Sequence, residues 1–210
     1  MLIAGAGGHA LEVFDVLCEN NNKDTAIVFY DDCTPIKTVL GSHLVIKTQD
    51  DARKLFKNDP DFCLGVGDPE SRKILIERLI SLGGRQVALR SSLAEVSSRV
   101  EDIDVSVDIM KRALISSRVR LGHGSLINSG AQIHHEAIIG KFCEISPLAL
   151  ILGGARVGDF CRIGAGAILL PKVSICNNVT IGAGSIVVKD ILSCGIYAGA
   201  PVKKLEPDDS

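Results

Sequence analysis

The sequence predicts two folds in series: an α/β domain with a parallel sheet over residues 1–90, then a left-handed parallel β-helix over residues 91–210. Three observations predict them. From Ile103 to Val187 every sixth residue is Ile, Leu or Val, fifteen times in succession. A period of six matches neither a helix nor an alternating strand, and it fits a hexapeptide β-helix in which each hexapeptide forms one side of a triangular coil. Four residues after most of these positions stands a small side chain, among them Ala113, Ser125, Ala131, Ala137, Cys143, Ala149, Ala155, Cys161, Ala167 and Ser185. One residue after, Gly recurs, at Gly122, Gly140, Gly158, Gly164 and Gly182. The third observation is the first part of the chain, which lacks the repeat and alternates strand-like with helix-like segments.

In that first part, Leu2 to Ala6 reads as a short apolar strand running into Gly5-Ala6-Gly7-Gly8-His9-Ala10. Val13, Val16 and Leu17, beside Phe14, then stand at helical spacing between Leu11 and Cys18. Ala26 to Tyr30 is a second strand that ends at Asp31-Asp32, and Phe62 to Val66 is another that ends at Gly67-Asp68. Asp68 is placed as an N-cap with Pro69 in the first helical position, opening a helix through Leu82 that Gly83-Gly84 stops. Arg85 to Leu89 is the last strand. This alternation predicts a small three-layer domain with a parallel, Rossmann-like sheet. Arg90 to Asp102 reads as the passage into the β-helix. After Val187 the chain leaves the repeat, and beyond Gly199-Ala200-Pro201 it ends in an acidic tip.

The chain has 210 residues and a formal charge of −2 with acids and bases interspersed, so it carries no basic footprint for nucleic acid. No apolar run has transmembrane length, and no basic segment precedes an apolar one, so an unexported protein that does not insert into membranes is expected. Seven cysteines, odd in number and without CxxC spacing, suit a reducing cytoplasm better than a disulfide framework. Cys143 and Cys161 occupy the small inward slot and are expected to be core fillers.

A glycine turn between strand and helix brings backbone amides close to a phosphate at the positive helix end. The candidates are Gly7, Gly8 and His9, with Asp31 and Asp32 at the end of the second strand to take a ribose or base edge. Gly67, Asp68 and Arg72 lie where ligands of open α/β sheets are found, Arg72 being either a ligand contact or a solvated helix charge. The domain is about half a full dinucleotide unit, so a mononucleotide or nucleotide-sugar fits better.

Within the repeat, Ile133-His134-His135-Glu136-Ala137-Ile138 stands out. A His beside a carboxylate can act as general base. With three hexapeptides per coil, the residues one coil beyond His135 and Glu136 are Gly153 and Gly154, which leaves bare backbone amides next to the candidate base, as an oxyanion site requires. The bland alternative is a solvated polar corner. Metal is not expected, because His123 falls on another corner from His135.

Taken together, these motifs resemble the hexapeptide sugar acetyltransferases of the sialic-acid O-acetyltransferase and bacillosamine-pathway N-acetyltransferase type, over nearly the full chain. The resemblance rests on Gly5 to Ala10, Asp31-Asp32, Gly67 with Arg72, Ile127-Asn128-Ser129-Gly130-Ala131, His135-Glu136 and Gly199-x-Pro201. It implies a homotrimer that transfers acetyl from acetyl-CoA, a co-substrate rather than a bound cofactor, to a nucleotide-linked amino sugar. It further implies His135 as base with Glu136 its partner, Gly153 as oxyanion donor, and Ala165 and Ala183 as backbone contacts to CoA. Gly7, Gly8, His9, Asp31, Asp32 and Gly67 become nucleotide-sugar contacts. Two positions depart from the family pattern: His134 precedes the candidate base, and Glu144 stands where some members place a His near acetyl-CoA. The expected activity is N-acetylation of a 4-amino-4,6-dideoxyhexose. O-acetylation of sialic acid is the enzymatic rival, and a non-catalytic nucleotide-sugar scaffold is the rival of another class.

Overall fold

A computed structural model describes residues 1–19 and 26–205, and the acidic tip lies outside the described residues. The chain divides into two compact units, Met1–Ser92 and Leu93–Ser210.

The first unit is built on β1 (Leu2–Ala4), α1 (Gly8–Glu19), β2 (Val28–Tyr30), β3 (Thr38–Val39), β4 (His43–Ile46), α2 (Gln49–Phe56), β5 (Asp61–Leu64), α3 (Pro69–Ser81) and β6 (Arg85–Gln86). Its sheet has the order β3-β4-β2-β1-β5-β6. All pairings are parallel except the antiparallel edge hairpin β3–β4, which the sequence reading did not anticipate, as it did not anticipate α2. Helix α1 buries Ala10, Val13, Val16 and Leu17, the face its spacing predicts. Asp68 caps α3 by accepting from the Ser71 N–H, Pro69 opens the helix, and Gly83 leaves it at φ +97°. Strands β2 and β6 are shorter than expected. Because β1 lies between β2 and β5, the loops after all three strands gather at one edge of the sheet, where the strand order reverses.

The second unit is a left-handed parallel β-helix with three faces. The first face stacks the strands that contain Val96, Ile115, Ile133, Ile151, Leu169 and Val187. The second stacks those with Ile103, Leu121, Ile139, Val157 and Ile175, and the third those with Ile109, Ile127, Ile145, Ile163 and Ile181. The aliphatic series points inward, with Ile127, Ile133, Ile145, Ile151 and Ile163 fully buried. Alanine and cysteine fill the slot beside it, Cys143 and Cys161 included. Ser125 in the same slot is satisfied, donating to the Gly140 carbonyl at 2.8 Å and accepting from the Cys143 N–H at 2.9 Å.

Two boundaries differ from the sequence reading. The stretch read as a passage already holds two coil strands, Glu95–Val96 and Asp102–Ile103. After Val187 the stack continues: Gly195–Gly199 pairs in parallel with Val179–Ile181, and Val202–Lys204 closes antiparallel on it. Glu95–Val96 and Gly195–Gly199 fall outside the aliphatic series, whereas Asp102–Ile103 carries its first member.

Truncating one inward residue of the column leaves a cavity that close-packed neighbours cannot fill. Ile145→Ala is expected to cost about 2–5 kcal/mol in denaturant unfolding. Val105→Ala, at a side chain 92% exposed, should stay within about 0.5 kcal/mol of the unsubstituted protein.

Candidate active site

The β-helix fixes its chemistry at a corner. Ile133, at the end of a first-face strand, anchors the turn His134 to Ala137, and Ile138 begins the second face. Each turn ties to the coil before it: Glu136 N–H donates to Ser117 O at 3.1 Å, and Gly154 N–H donates to His135 O at 2.9 Å. Glu136 takes the left-handed conformation at φ +62°, which throws its side chain out of the corner beside His135.

His135 is 66% exposed, with Nδ1 3.6 Å from Glu136 Oε2. The opposite edge of the ring lies over Gly153: a Cβ there would stand 2.5 Å from both Cε1 and Nε2. Only glycine leaves room for the imidazole at that point. Nδ1 therefore faces a carboxylate, and Nε2 looks over bare backbone. Among the described hydrogen bonds the Gly153 N–H has no acceptor. A cleft of about 510 Å³ opens alongside, lined by Glu101, Arg118, Arg120, Glu136, Ile138, Gly154, Arg156 and Lys172. Its cations were not singled out in the sequence, although the 18-residue stacking of Arg118, Glu136, Gly154 and Lys172 is readable there. His134 is half-buried, and its N–H donates to Ile151 O.

Ala165 and Ala183 stack one coil apart at a different corner, between the third and first faces. Their N–H groups also lack acceptors among the described hydrogen bonds. Glu144 lies on the third face, 13% exposed, held by Arg162 Nε at 2.8 Å and the Ser146 hydroxyl at 3.1 Å. On one column, then, His135, Glu136 and Gly153 come together, while Glu144, Ala165 and Ala183 stand apart from them.

In the α/β unit, a cleft of about 300 Å³ sits at the strand edge where the order reverses. It is lined by Gly5, Tyr30, Asp31, Asp32, Cys33, Val66, Ser71, Ile74, Leu75 and Arg78. Gly5 needs its glycine, for it holds φ +119° with a Cβ position 2.7 Å from Gly65 O. The N–H groups of Gly7, Gly8 and His9 open α1 without acceptors among the described hydrogen bonds, the arrangement of an anion site. His9 Nδ1 meets Glu12 at 3.0 Å, and its buried Nε2 has no partner among the described residues.

The acidic pair divides its work. Asp31 Oδ1 accepts from the Cys33 and Thr34 N–H groups, both at 2.9 Å, and so shapes its own turn. Asp32 faces the cleft, bonded to Tyr30 OH at 3.1 Å and to Arg78 Nη1 at 2.6 Å. One expectation changes. Arg72 is fully buried and donates to Val66 O at 3.0 Å, so it braces the loop from beneath and shows the cleft no surface. The Asp68 carboxylate caps α3, as its place before Pro69 predicts. Arg78 takes the exposed cationic place, and Ser71, Ile74, Leu75 and Arg78 follow a helical spacing that would have revealed this face. Among the described residues, no group of three or more His, Cys, Asp or Glu could hold a metal, and no helix is long and apolar enough to cross a membrane.

A left-handed hexapeptide β-helix, in one chain with a small parallel α/β domain, defines a hexapeptide acyltransferase. Residues 1–79 match the family described as PglD N-terminal domain, and residues 154–189 match the bacterial transferase hexapeptide family. The acetyltransferase domain of PglB from Neisseria gonorrhoeae FA1090, solved with acetyl coenzyme A, is 31% identical with a TM-score of 0.87, over 97% of this chain and 98% of that one. PerB from Caulobacter crescentus, solved with CoA and GDP-perosamine, is 28% identical with a TM-score of 0.87, over 98% of this chain and 96% of that one. WeeI from Acinetobacter baumannii AYE shares the fold at 18% identity, with a TM-score of 0.71 over 97% and 98%. The chain belongs to the hexapeptide-repeat sugar acetyltransferases with a PglD-type N-terminal domain.

The Asp31 turn leaves a pH signature. Burial raises its carboxyl pKa, but hydrogen bonds from the Thr34 and Cys33 amides, and the charge of Lys47, outweigh this and leave it below the ordinary value. A carboxylate depressed on folding stabilises the fold above its unfolded pKa of about 3.9, and that contribution is lost as pH falls through the lower folded value. Urea midpoints followed downward from pH of about 6 should therefore fall at the acid end. Asp31→Asn should flatten part of that fall, Asp59 supplying another part through its depressed carboxyl.

Proposed function

We propose that the protein transfers the acetyl group of acetyl-CoA to the amino group of a nucleotide-linked 4-amino-4,6-dideoxyhexose, directly and with His135 as general base. The observation that carries this reading is the His135 ring edge seated over Gly153, with Glu136 on its other side. The amine attacks the thioester carbonyl carbon while Nε2 takes its proton. The oxyanion is steadied by the Gly153 N–H, the carbon–sulfur bond breaks, and the CoA thiolate leaves and is protonated. Holding both substrates in line and removing one proton supply the acceleration. The neighbours solved with acetyl coenzyme A, and with CoA and GDP-perosamine, support both substrate classes. Gly7, Gly8 and His9 hold the diphosphate at the start of α1, with Asp32 and Arg78 in the adjoining cleft.

CoA that touches Ala165 and Ala183 as well as Gly153 must span two corners, which one column cannot present to it together. The working unit in this reading is a homotrimer with each site between two columns. Full activity in a species that sediments as a monomer would remove it.

Two substitutions test the chemistry. His135→Ala should cut turnover by about two to four orders of magnitude, the value of a positioned general base, while acetyl-CoA binding persists. Near-normal turnover in that variant would sink the assignment. A Cβ at Gly8 meets nothing within 4 Å, which leaves room to test Gly8→Val. It should raise KM for the nucleotide sugar and leave KM for acetyl-CoA in place; equal damage to both would remove the phosphate-turn reading. Thiol release with UDP-, dTDP- and GDP-linked amino sugars, and with sialic acid, identifies the acceptor. Turnover of sialic acid alone would replace N- with O-acetylation.

A further inference from the structure

From Arg112 to Gly184 every sixth residue is left-handed, one at each corner, and on the His135 corner that column reads Arg118, Glu136, Gly154, Lys172. Backbone bonds tie the rungs in register: Arg118 N–H to Arg99 O at 2.8 Å, Glu136 N–H to Ser117 O at 3.1 Å, and Lys172 N–H to Gly153 O at 3.0 Å. Side chains on successive rungs thus leave the column side by side, about 4.8 Å apart. Glu136 has a guanidinium on one side and a bare glycine on the other. Its Oε1 lies 3.0 Å from Arg118 Nη1, and its Oε2 lies 3.6 Å from His135 Nδ1.

A glutamate on an exposed corner has several rotamers open to it. One of them swings across Gly154 toward Lys172, whose Cγ stands 3.4 Å from the place a Gly154 Cβ would occupy. In that rotamer the carboxylate leaves His135 and covers the bare surface next to Gly153. Of the other charges in the cleft, Arg120 is paired with Glu101 at 2.5 Å, Arg156 stands on the rung of Gly154 and stacks on Ile138, and Lys172 lies one rung beyond Gly154.

We infer that Arg118 is a positioning residue for the catalytic pair. It draws the Glu136 carboxylate back along the column, keeping one oxygen beside His135 Nδ1 and the surface over Gly153 and Gly154 open. Arg118 touches neither reacting atom and acts through Glu136. An exposed pair of this kind adds little to stability, so its loss appears in turnover and not in unfolding. The inference rests on His135 being the base.

The test compares Arg118→Met, Arg118→Lys, Glu136→Gln and the double variant Arg118→Met/Glu136→Gln, with acetyl-CoA and the acceptor identified by thiol release. Arg118→Met should lower kcat about three- to tenfold with both KM values within about twofold. Arg118→Lys should restore kcat to within about twofold, since it keeps the charge. On the Glu136→Gln background, Arg118→Met should change nothing further. A second readout needs no turnover: the His135 ring Cε1–H NMR signal, assigned by its loss in His135→Ala, should move in Arg118→Met and stay still when that change is added to Glu136→Gln. Equal losses of kcat on both backgrounds would overturn the inference, as would an unmoved signal with unchanged kcat. If His135→Ala keeps its turnover, the base assignment falls, while the NMR coupling still decides whether Arg118 holds Glu136.

Discussion

A triangular coil of three hexapeptides sets each residue directly over the one eighteen positions earlier, as in the register Leu114, Gln132, Leu150, Ile168. Everything else in the β-helix depends on that stacking. Inward aliphatics pack on inward aliphatics, and strands of two residues pair on both sides, so short segments that would be unstable alone become a continuous core. The corners carry a standing cost, because residues such as Arg118, Glu136, Phe142 and Lys172 adopt a left-handed backbone. Neighbour-to-neighbour packing along the column offsets it.

The same stacking builds the site. His135 and Glu136 are neighbours in the chain, and one coil of separation puts Gly153 under the ring of His135. A ligand site on such a column is specified by two distant short stretches that need only keep their register. Register errors are penalised along the whole length, since a slip of one residue would turn the aliphatic series outward.

How much was legible in the sequence follows from this. The period of six gave the β-helix, its inward faces and the His135–Gly153 neighbourhood, because register reduces three dimensions to arithmetic. At the ends of the column the signal fades: Glu95–Val96 and Gly195–Gly199 join the stack without the aliphatic hexad. In the α/β unit the helix caps and core strands were readable from Asp68, Pro69 and the apolar runs, while the β3–β4 hairpin was too short to leave a pattern. Arg72 and Arg78 look alike in sequence. One is buried under the Val66 loop and the other faces the cleft, a difference set by which side of α3 meets the sheet. Asp31 and Asp32 likewise differ only in which carboxylate its own turn consumes.

The last strand carries a consequence for the molecule in a crowded solution. A parallel β-helix is an open ladder, and its final rung offers unpaired backbone groups on which another coil could be laid, the route by which such columns lengthen into fibres. Here Val202–Lys204 folds back antiparallel along Gly195–Gly199. It occupies those groups with a strand of reversed direction and lysine side chains at Lys203 and Lys204. On that one of the three faces the edge of the stack is a strand of reversed direction, which does not match the parallel rung a further coil would add.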